Sequence, residues 1–334
     1  MTDTVAVTTT PAPGSVEWIE RHGLSAVDGC RLAQLEAAGT DDRVISLEGD
    51  LGDFGGIEFA ERYPDRYHDF GIAEANLVGA AAGFAAAGKI PFVNTFGSFA
   101  LMRACEQVRL DVAYHRSNVK IAGTFTGIAA GFSGPTHHCG EDIAIARVMP
   151  NMVVLAPADA VAAYHLTLSA VRWQGPVYLR LGVDPTAQVY DENASFVIGG
   201  STVLREGEDV TIVAAGLTSV ATAVSAADSL MGQGIRARVV DLYSIKPVDR
   251  AVLIDSARRT GLIVTVEEHS TIGGLGSTVA EVLAAEAPVP VRMLGLPDEY
   301  AHEICSYQAH LRRCGLDIDS VVTAVADEVR RKQR

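Results

Sequence analysis

Short runs rich in β-branched residues alternate with longer Ala- and Leu-rich segments along most of this chain, and that alternation limits the fold more than any other feature. The runs "RVISLEG", "PFVNTF", "NVKIAGTF", "MVVLAPA" and "PVYLRLG" are separated by segments that read as helices over 74–87, 98–114, 141–147 and 158–172. A strand followed by a helix, repeated, is the pattern of a parallel sheet with crossover helices. After a polar connector, "TAQVYDENASFVIGGSTVLREGED", a second series opens with "VTIVAAG", "ARVVDLY", "LIVTVEE" and "VPVRMLGL". Its runs are mostly apolar, as expected of strands covered on both faces. The expected fold class is α/β, with a doubly wound parallel-sheet domain ending near Pro185 and a smaller α/β domain beginning near Gly200. A chain of 334 residues with 48% hydrophobic content has room for two such cores.

Charge and cysteine usage narrow the function. The chain has 27 basic and 41 acidic residues, a net charge of -14, and no Lys/Arg stripe or tail. Nucleic acid and anionic membrane are therefore poor partners. The five cysteines (Cys30, Cys105, Cys139, Cys305 and Cys314) are scattered, without a CxxC pair or His-rich companion spacing. That pattern fits reduced thiols in a cytoplasm, not a disulfide framework or a zinc site, and no metal ligands are assigned to this chain. The opening "MTDTVAVTTTPAPGS" lacks a basic region followed by an apolar core and reads as a flexible lead over residues 1–15. No apolar run is long enough to span a bilayer, since even the Ala/Gly-rich stretch is broken by Glu74, Asn76 and Lys89.

Ligands of open parallel sheets bind beyond the carboxyl ends of the strands. Four stretches lie there: "LEGDLGDFGG", "NTFGSFALM", "GTFTGIAAGFSGPTHHCGED" and "YLRLGVDP". In "HDFGIAEANLVGAAAGFAAAGK", Glu74 opens a predicted helix, where the macrodipole favours a carboxylate by ~0.3–1 kcal/mol. Against a purely structural role stand the absence of another charge until Lys89 and the Gly79/Gly83 spacing, which permits close approach of another helix or chain. A carboxyl group enclosed by apolar surroundings can serve as a proton donor. In "GPTHH", adjacent His137 and His138 point in different directions, which argues against shared metal ligation and leaves two readings, a plain polar loop or acid/base and hydrogen-bonding work on a ligand. Phe96 and Phe99, three apart after a strand, are either core residues or a stacking wall for a flat heterocycle. Asp50 and Asp53 stand near glycines without a complete metal pattern, and "EEHSTIGGLGS" lacks the GxGxxG spacing of a dinucleotide loop.

Taken in order, "GIAEAN", "NTFGSF", "GFSGPTHH", "VMPNMVVLAPAD", "VEEHSTIGGLGS" and "GLPDEY" resemble the transketolase family of thiamine diphosphate enzymes, over nearly the whole chain from about residue 20. The resemblance implies a pyrimidine-binding domain over 16–190 and a transketolase C-terminal domain over 200–330. It also implies a missing half, because the GDG motif of the diphosphate- and Mg²⁺-binding domain does not occur. On this resemblance the chain is the C-terminal subunit of a split transketolase. Its N-terminal partner subunit holds Mg²⁺ and the diphosphate, and the expected assembly is an α2β2 heterotetramer.

The resemblance also implies roles for single residues. Glu74 matches the glutamate that supplies a proton at the pyrimidine N1' of thiamine diphosphate. Phe96 and Phe99 would line the pyrimidine, with Met102 where the family has a tyrosine. His137 would face the reacting substrate, and Asp50 would lie near the thiazolium. Phe125 and Ser133 replace a phosphate-contacting histidine and a sugar-reading aspartate, whereas Arg180 matches the family's phosphate-binding arginine. The implied reaction moves a two-carbon ketol unit from a ketose, expected to be phosphorylated, to an aldehyde, and the replacements at Phe125 and Ser133 leave room for substrates other than the standard pentose phosphates. Three alternatives remain: the β subunit of a 2-oxo acid dehydrogenase, a deoxyxylulose-phosphate-synthase-like carboligase, and a non-catalytic paralogue that only stabilises a partner.

Overall fold

A computed structural model describes residues 23–51, 56–184, 187–301 and 303–334. The lead expected over residues 1–15, and Asp53, lie outside the described residues. The first sheet contains β1 (Val44–Glu48), β2 (Tyr67–Asp69), β3 (Ile90–Phe96), β4 (Lys120–Thr124), β5 (Val153–Leu155) and β6 (Val177–Arg180). The second contains β7 (Thr202–Arg205), β8 (Val210–Ala214), β9 (Ala237–Asp241), β11 (Ile263–Ser270) and β12 (Val291–Leu296). Between β9 and β11 runs β10 (Ser244–Lys246), which leaves the second sheet and pairs antiparallel with β5 at the edge of the first. The resulting orders are β10-β5-β6-β4-β3-β1-β2 and β12-β11-β8-β9-β7.

Alternation along the strands separates two apolar layers. Val44, Phe92, Val177 and Ile212 point into one, while Ile45, Val93, Tyr178 and Val213 point into the other. The helices Ala26–Thr40, Ala160–Arg172, Leu217–Met231 and Ile318–Lys332 cover the first face. Glu74–Ala86, Asp142–Val148, Arg250–Thr260 and Leu275–Glu286 cover the second. Both sheets are thus covered by helices on both faces, which explains the near-continuous apolar runs.

The expected connector is more structured than its polarity implied. It contains β7, which pairs antiparallel with β9, and it buries the rings of Tyr190 and Phe196 against Tyr243. The two halves are also joined by Lys246, whose Nζ donates to the carbonyls of Arg147 at 2.8 Å and Met149 at 2.5 Å. Among the described residues, no helix is long and apolar enough to cross a membrane.

Candidate active site

The parallel strands β1, β3, β4 and β6 end on one edge of the first sheet, and the candidate residues follow those ends. Two of them have unusual backbone: Asp50 after β1 has φ +58° and Phe125 after β4 has φ +52°. Non-glycine residues adopt this left-handed region at a cost, and such outliers concentrate at functional sites.

Four rings converge beyond β3 and β4. Phe96 meets Phe99 edge-on at 5.5 Å and Phe125 at 4.8 Å between centroids, and His137 stands edge-on to Phe96 at 5.7 Å and Phe99 at 5.3 Å. The His137 Nδ1 lies 2.9 Å from the Thr136 hydroxyl, leaving Nε2 as the ring nitrogen available to a ligand. The segment carrying Phe99 begins with π-helical turns over Phe99–Arg103, a widened form that recurs at functional sites.

Glu74 begins its helix and is 1% exposed. It is not the isolated carboxylate expected from its sequence neighbours. Arg103 donates from Nη1 to Glu74 Oε2 at 2.7 Å and lays its guanidinium 4.1 Å above the Phe99 ring. Arg103 was missed by motif reasoning, although the helical i, i+4 relation of Phe99 and Arg103 was a readable signal. Glu74, Phe99, Phe96, His137 and Phe125 therefore form one connected cluster. Met102, next to Arg103, is 41% exposed at its border.

Asp50 and Ser133 do not enter the ring contacts. The Asp50 amide donates to Asp69 Oδ1 at 3.2 Å, and the Ser133 amide donates to the Ala130 carbonyl at 2.9 Å. Arg180 also stands apart. It is buried, its Nε donates to Asp142 Oδ2 at 2.8 Å, and its Nη2 donates to the carbonyls of Glu268 at 2.8 Å and Cys139 at 3.3 Å. Tyr178 donates to the same Asp142 oxygen at 2.7 Å. Burial is the largest single influence and opposes the charge on Arg180, but Asp142, Tyr178 and Cys139 together outweigh it and hold the Arg180 pKa above the ordinary value. The space beside Arg180 is only about 10 Å³, room for no more than a water molecule.

A second carboxylate reaches the edge from the other sheet. Glu268, at the end of β11, accepts from the Ile128 amide at 3.3 Å and from the Tyr307 hydroxyl. Its approach requires a glycine: a Cβ on Gly127, φ +70°, would lie 2.4 Å from Glu268 Oε2. Burial pushes the Glu268 carboxyl up and the Tyr307 phenol well above its ordinary value. With Cys305 and Ser306, Tyr307 borders a cavity of about 400 Å³ that also touches Phe125 and Asp184. Sequence reasoning missed Glu268 and this C-terminal segment, although the paired glutamates at a strand end in "VEEH" were visible.

Comparison with known proteins gives the family. The "Transketolase, pyrimidine binding domain" family matches residues 23–184, and the "Transketolase, C-terminal domain" family matches 199–321. The 6-deoxy-6-sulfo-D-fructose transketolase subunit of Clostridium sp. (strain MSTE9) is 42% identical over 299 residues, covering 89% of this chain and 92% of its own. An apulose-4-phosphate transketolase subunit of Phocaeicola vulgatus is 40% identical over 309 residues, covering 89% and 95%. A solved split-gene transketolase, described as an inactive beta4 tetramer, superposes with a TM-score of 0.84 at 43% identity, covering 92% of this chain and 98% of its own. The chain belongs to the transketolase family, as the C-terminal subunit of a split transketolase.

Proposed function

We propose that this subunit positions and activates thiamine diphosphate, and that it transfers a two-carbon ketol unit from a ketose to an aldehyde only with an N-terminal partner subunit. The observation that carries this reading is the buried Glu74 carboxyl connected through Arg103 to the four-ring cluster. These residues fit the cofactor: the rings offer faces and edges to a flat heterocycle, and Glu74 accepts Arg103 on one carboxyl oxygen while the other can face a ring nitrogen. When bound, thiamine diphosphate supplies a nucleophilic thiazolium carbon.

On this reading Glu74 holds or delivers the proton at the pyrimidine N1', Phe96 and Phe99 line the pyrimidine, and Met102 extends that wall at the surface. His137 presents Nε2 to the substrate, and Phe125, packed on Phe96, borders it. Asp50 approaches the thiazolium, and Ser133 lies on the loop that borders the sugar. Arg180 supports the site by holding the Cys139 carbonyl, two residues after His137. Contact with a substrate phosphate would require Arg180 to open space beside its present 10 Å³ cavity.

The partner is proposed to bring Mg²⁺ and the diphosphate site in an α2β2 heterotetramer. Ile72, Met102, Leu110 and Tyr114 expose 72%, 41%, 40% and 72% of their surfaces, apolar area that another chain would cover. The two relatives are named for ketoses ending in a sulfonate and a phosphate, and we place this substrate among ketoses with an anionic terminus, outside the standard pentose phosphates. The unpaired cysteines support a cytoplasmic location.

The test is ketol transfer by the reconstituted two-chain complex with Mg²⁺. Glu74→Ala should lose about 10²- to 10⁴-fold in rate, the usual contribution of a positioned acid, while the complex still assembles. Unchanged transfer would remove Glu74 from the mechanism, and tight Mg²⁺-dependent cofactor binding by this chain alone would overturn the split site.

A further inference from the structure

Another cavity is lined by Pro135 and His138 of the "GPTHH" loop. It has a volume of about 300 Å³ and opens beyond the carboxyl ends of β11 and β12, where Ser270 and Leu296 end the strands. That edge is where open α/β sheets bind ligands, and the volume reaches the lower range of small-molecule sites, about 300–1,000 Å³.

The consecutive histidines of this loop make different contacts. His137 faces the Phe96 and Phe99 rings, whereas His138 stands edge-on to His310 at 5.1 Å and lines the second cavity with it. His310 is 1% exposed, and its Nε2 and that of His138 are buried without a hydrogen-bond partner among the described residues. Two unpartnered imidazoles in one cavity are costly to leave dry and unbound. The site is also shaped around His310: a Cβ on Gly131 would lie 2.6 Å from its Cδ2.

The lining selects a ligand class. Glu141, Asp298 and Glu299 contribute carboxyl groups, against Arg313, which already pairs with Glu303 at 3.0 Å. An anion such as a phosphate ester is therefore disfavoured. Burial lowers the pKa of His138, and His310 and His137 lower it further, so the imidazole is neutral near pH 7. A hydroxyl can donate to or accept from either tautomer, whereas an ammonium can only donate and would face Arg313. Ile128, Pro135 and the Tyr300 ring give an apolar wall against which the C–H face of a sugar can pack.

We propose that this cavity binds an uncharged, hydroxyl-rich small molecule of monosaccharide size through His138 and His310, at an effector site behind the catalytic loop. Occupancy would restrain His138 and thereby its neighbour His137. The proposal goes beyond the ketol-transfer reading and is tested without cofactor or partner, so failure of either leaves the other standing.

The experiment titrates the full chain with D-fructose, D-ribose and ribitol, and with D-fructose 6-phosphate as the charged counterpart, while recording histidine-ring NMR signals. A saturable shift of the His138 and His310 signals by at least one uncharged probe, with Kd on the order of 1 mM, is expected, and the phosphate ester should bind more weakly. His310→Leu should weaken binding at least tenfold, and His310→Gln should retain part of it. Tyr300→Ala, at a side chain 73% exposed and so safe for folding, should weaken binding several-fold. The proposal fails if no uncharged probe gives a saturable shift, if the phosphate binds more tightly, or if both His310→Leu and Tyr300→Ala bind like the parent chain.

Discussion

The ring cluster around Glu74 and the network around Arg180 occupy the same edge of the first sheet, yet they pair their charges differently. Arg180 and Asp142 are 5% and 0% exposed and hold each other inside the protein, with Tyr178 and two backbone carbonyls as further partners. Glu74 is equally buried, but its partner Arg103 is 46% exposed and rests on the surface of an aromatic wall. The first arrangement joins elements from both halves of the chain. The second keeps a buried carboxyl beside an open, flat surface, as a binding site requires. The identity of the charged residues does not distinguish these roles; the exposure of the partner does.

The largest expected difference is in stability. Arg180→Leu leaves Asp142 without its cation, and loss of one member of a buried pair costs about 3–5 kcal/mol. Denaturant unfolding should show that loss, whereas Arg103→Leu should change stability much less; similar losses would erase the distinction.

Glu48 sharpens the comparison by providing a buried carboxyl without an arginine hydrogen-bonded to it among the described residues. Its Oε2 has no partner among the described residues, and burial pushes its pKa up to about 8. The unfolded value is about 4.3. Between these values the folded chain retains a proton that the unfolded chain has released, so stability should decline as pH rises from about 4 to 8 and level off above it. Glu48→Gln should flatten the decline measured by thermal unfolding from pH 5 to 9. An unchanged slope would show that Glu48 does not produce it.

Within the open cluster, Phe99→Ala removes the ring that touches Phe96, His137 and Arg103. Aromatic contacts contribute about 0.5–1.5 kcal/mol each, so cofactor affinity in the two-chain complex should fall roughly tenfold with assembly intact. Calorimetric titration that finds unchanged affinity would place the cofactor elsewhere. The smallest effect belongs to the exposed contact between Arg147 and Glu281, at 2.6 Å with Glu281 65% exposed. Glu281→Ala should cost less than about 1 kcal/mol by denaturant unfolding; a larger loss would mean that the surface joint between the halves carries more than solvent screening allows.

Much of the ring cluster proposed as the site was legible because its markers are local. Phe96 ends a strand-like run, Phe99 and His137 sit in short motifs beyond strand-like runs, Glu74 opens a predicted helix, and the geometry of a parallel sheet gathers strand ends at one edge. The ion partners were not legible for the opposite reason. Arg103 lies 29 residues from Glu74, Asp142 lies 38 from Arg180, and the carbonyl of Glu268 lies 88 away. The connector was misjudged through its polar composition, since pairing of β7 with β9 satisfies backbone groups whatever the average polarity of the segment.

Sequence alone determined the two α/β halves and the strand ends at which chemistry can gather, because hydrophobic periodicity is written residue by residue. Tertiary structure alone decided that β10 joins the first sheet, that Glu74 pairs with Arg103, that Arg180 is enclosed, and that His137 faces the phenylalanine rings while His138 lines a cavity with His310. Each of these depends on which distant surfaces come into contact, and burial and charge pairing are properties of those contacts.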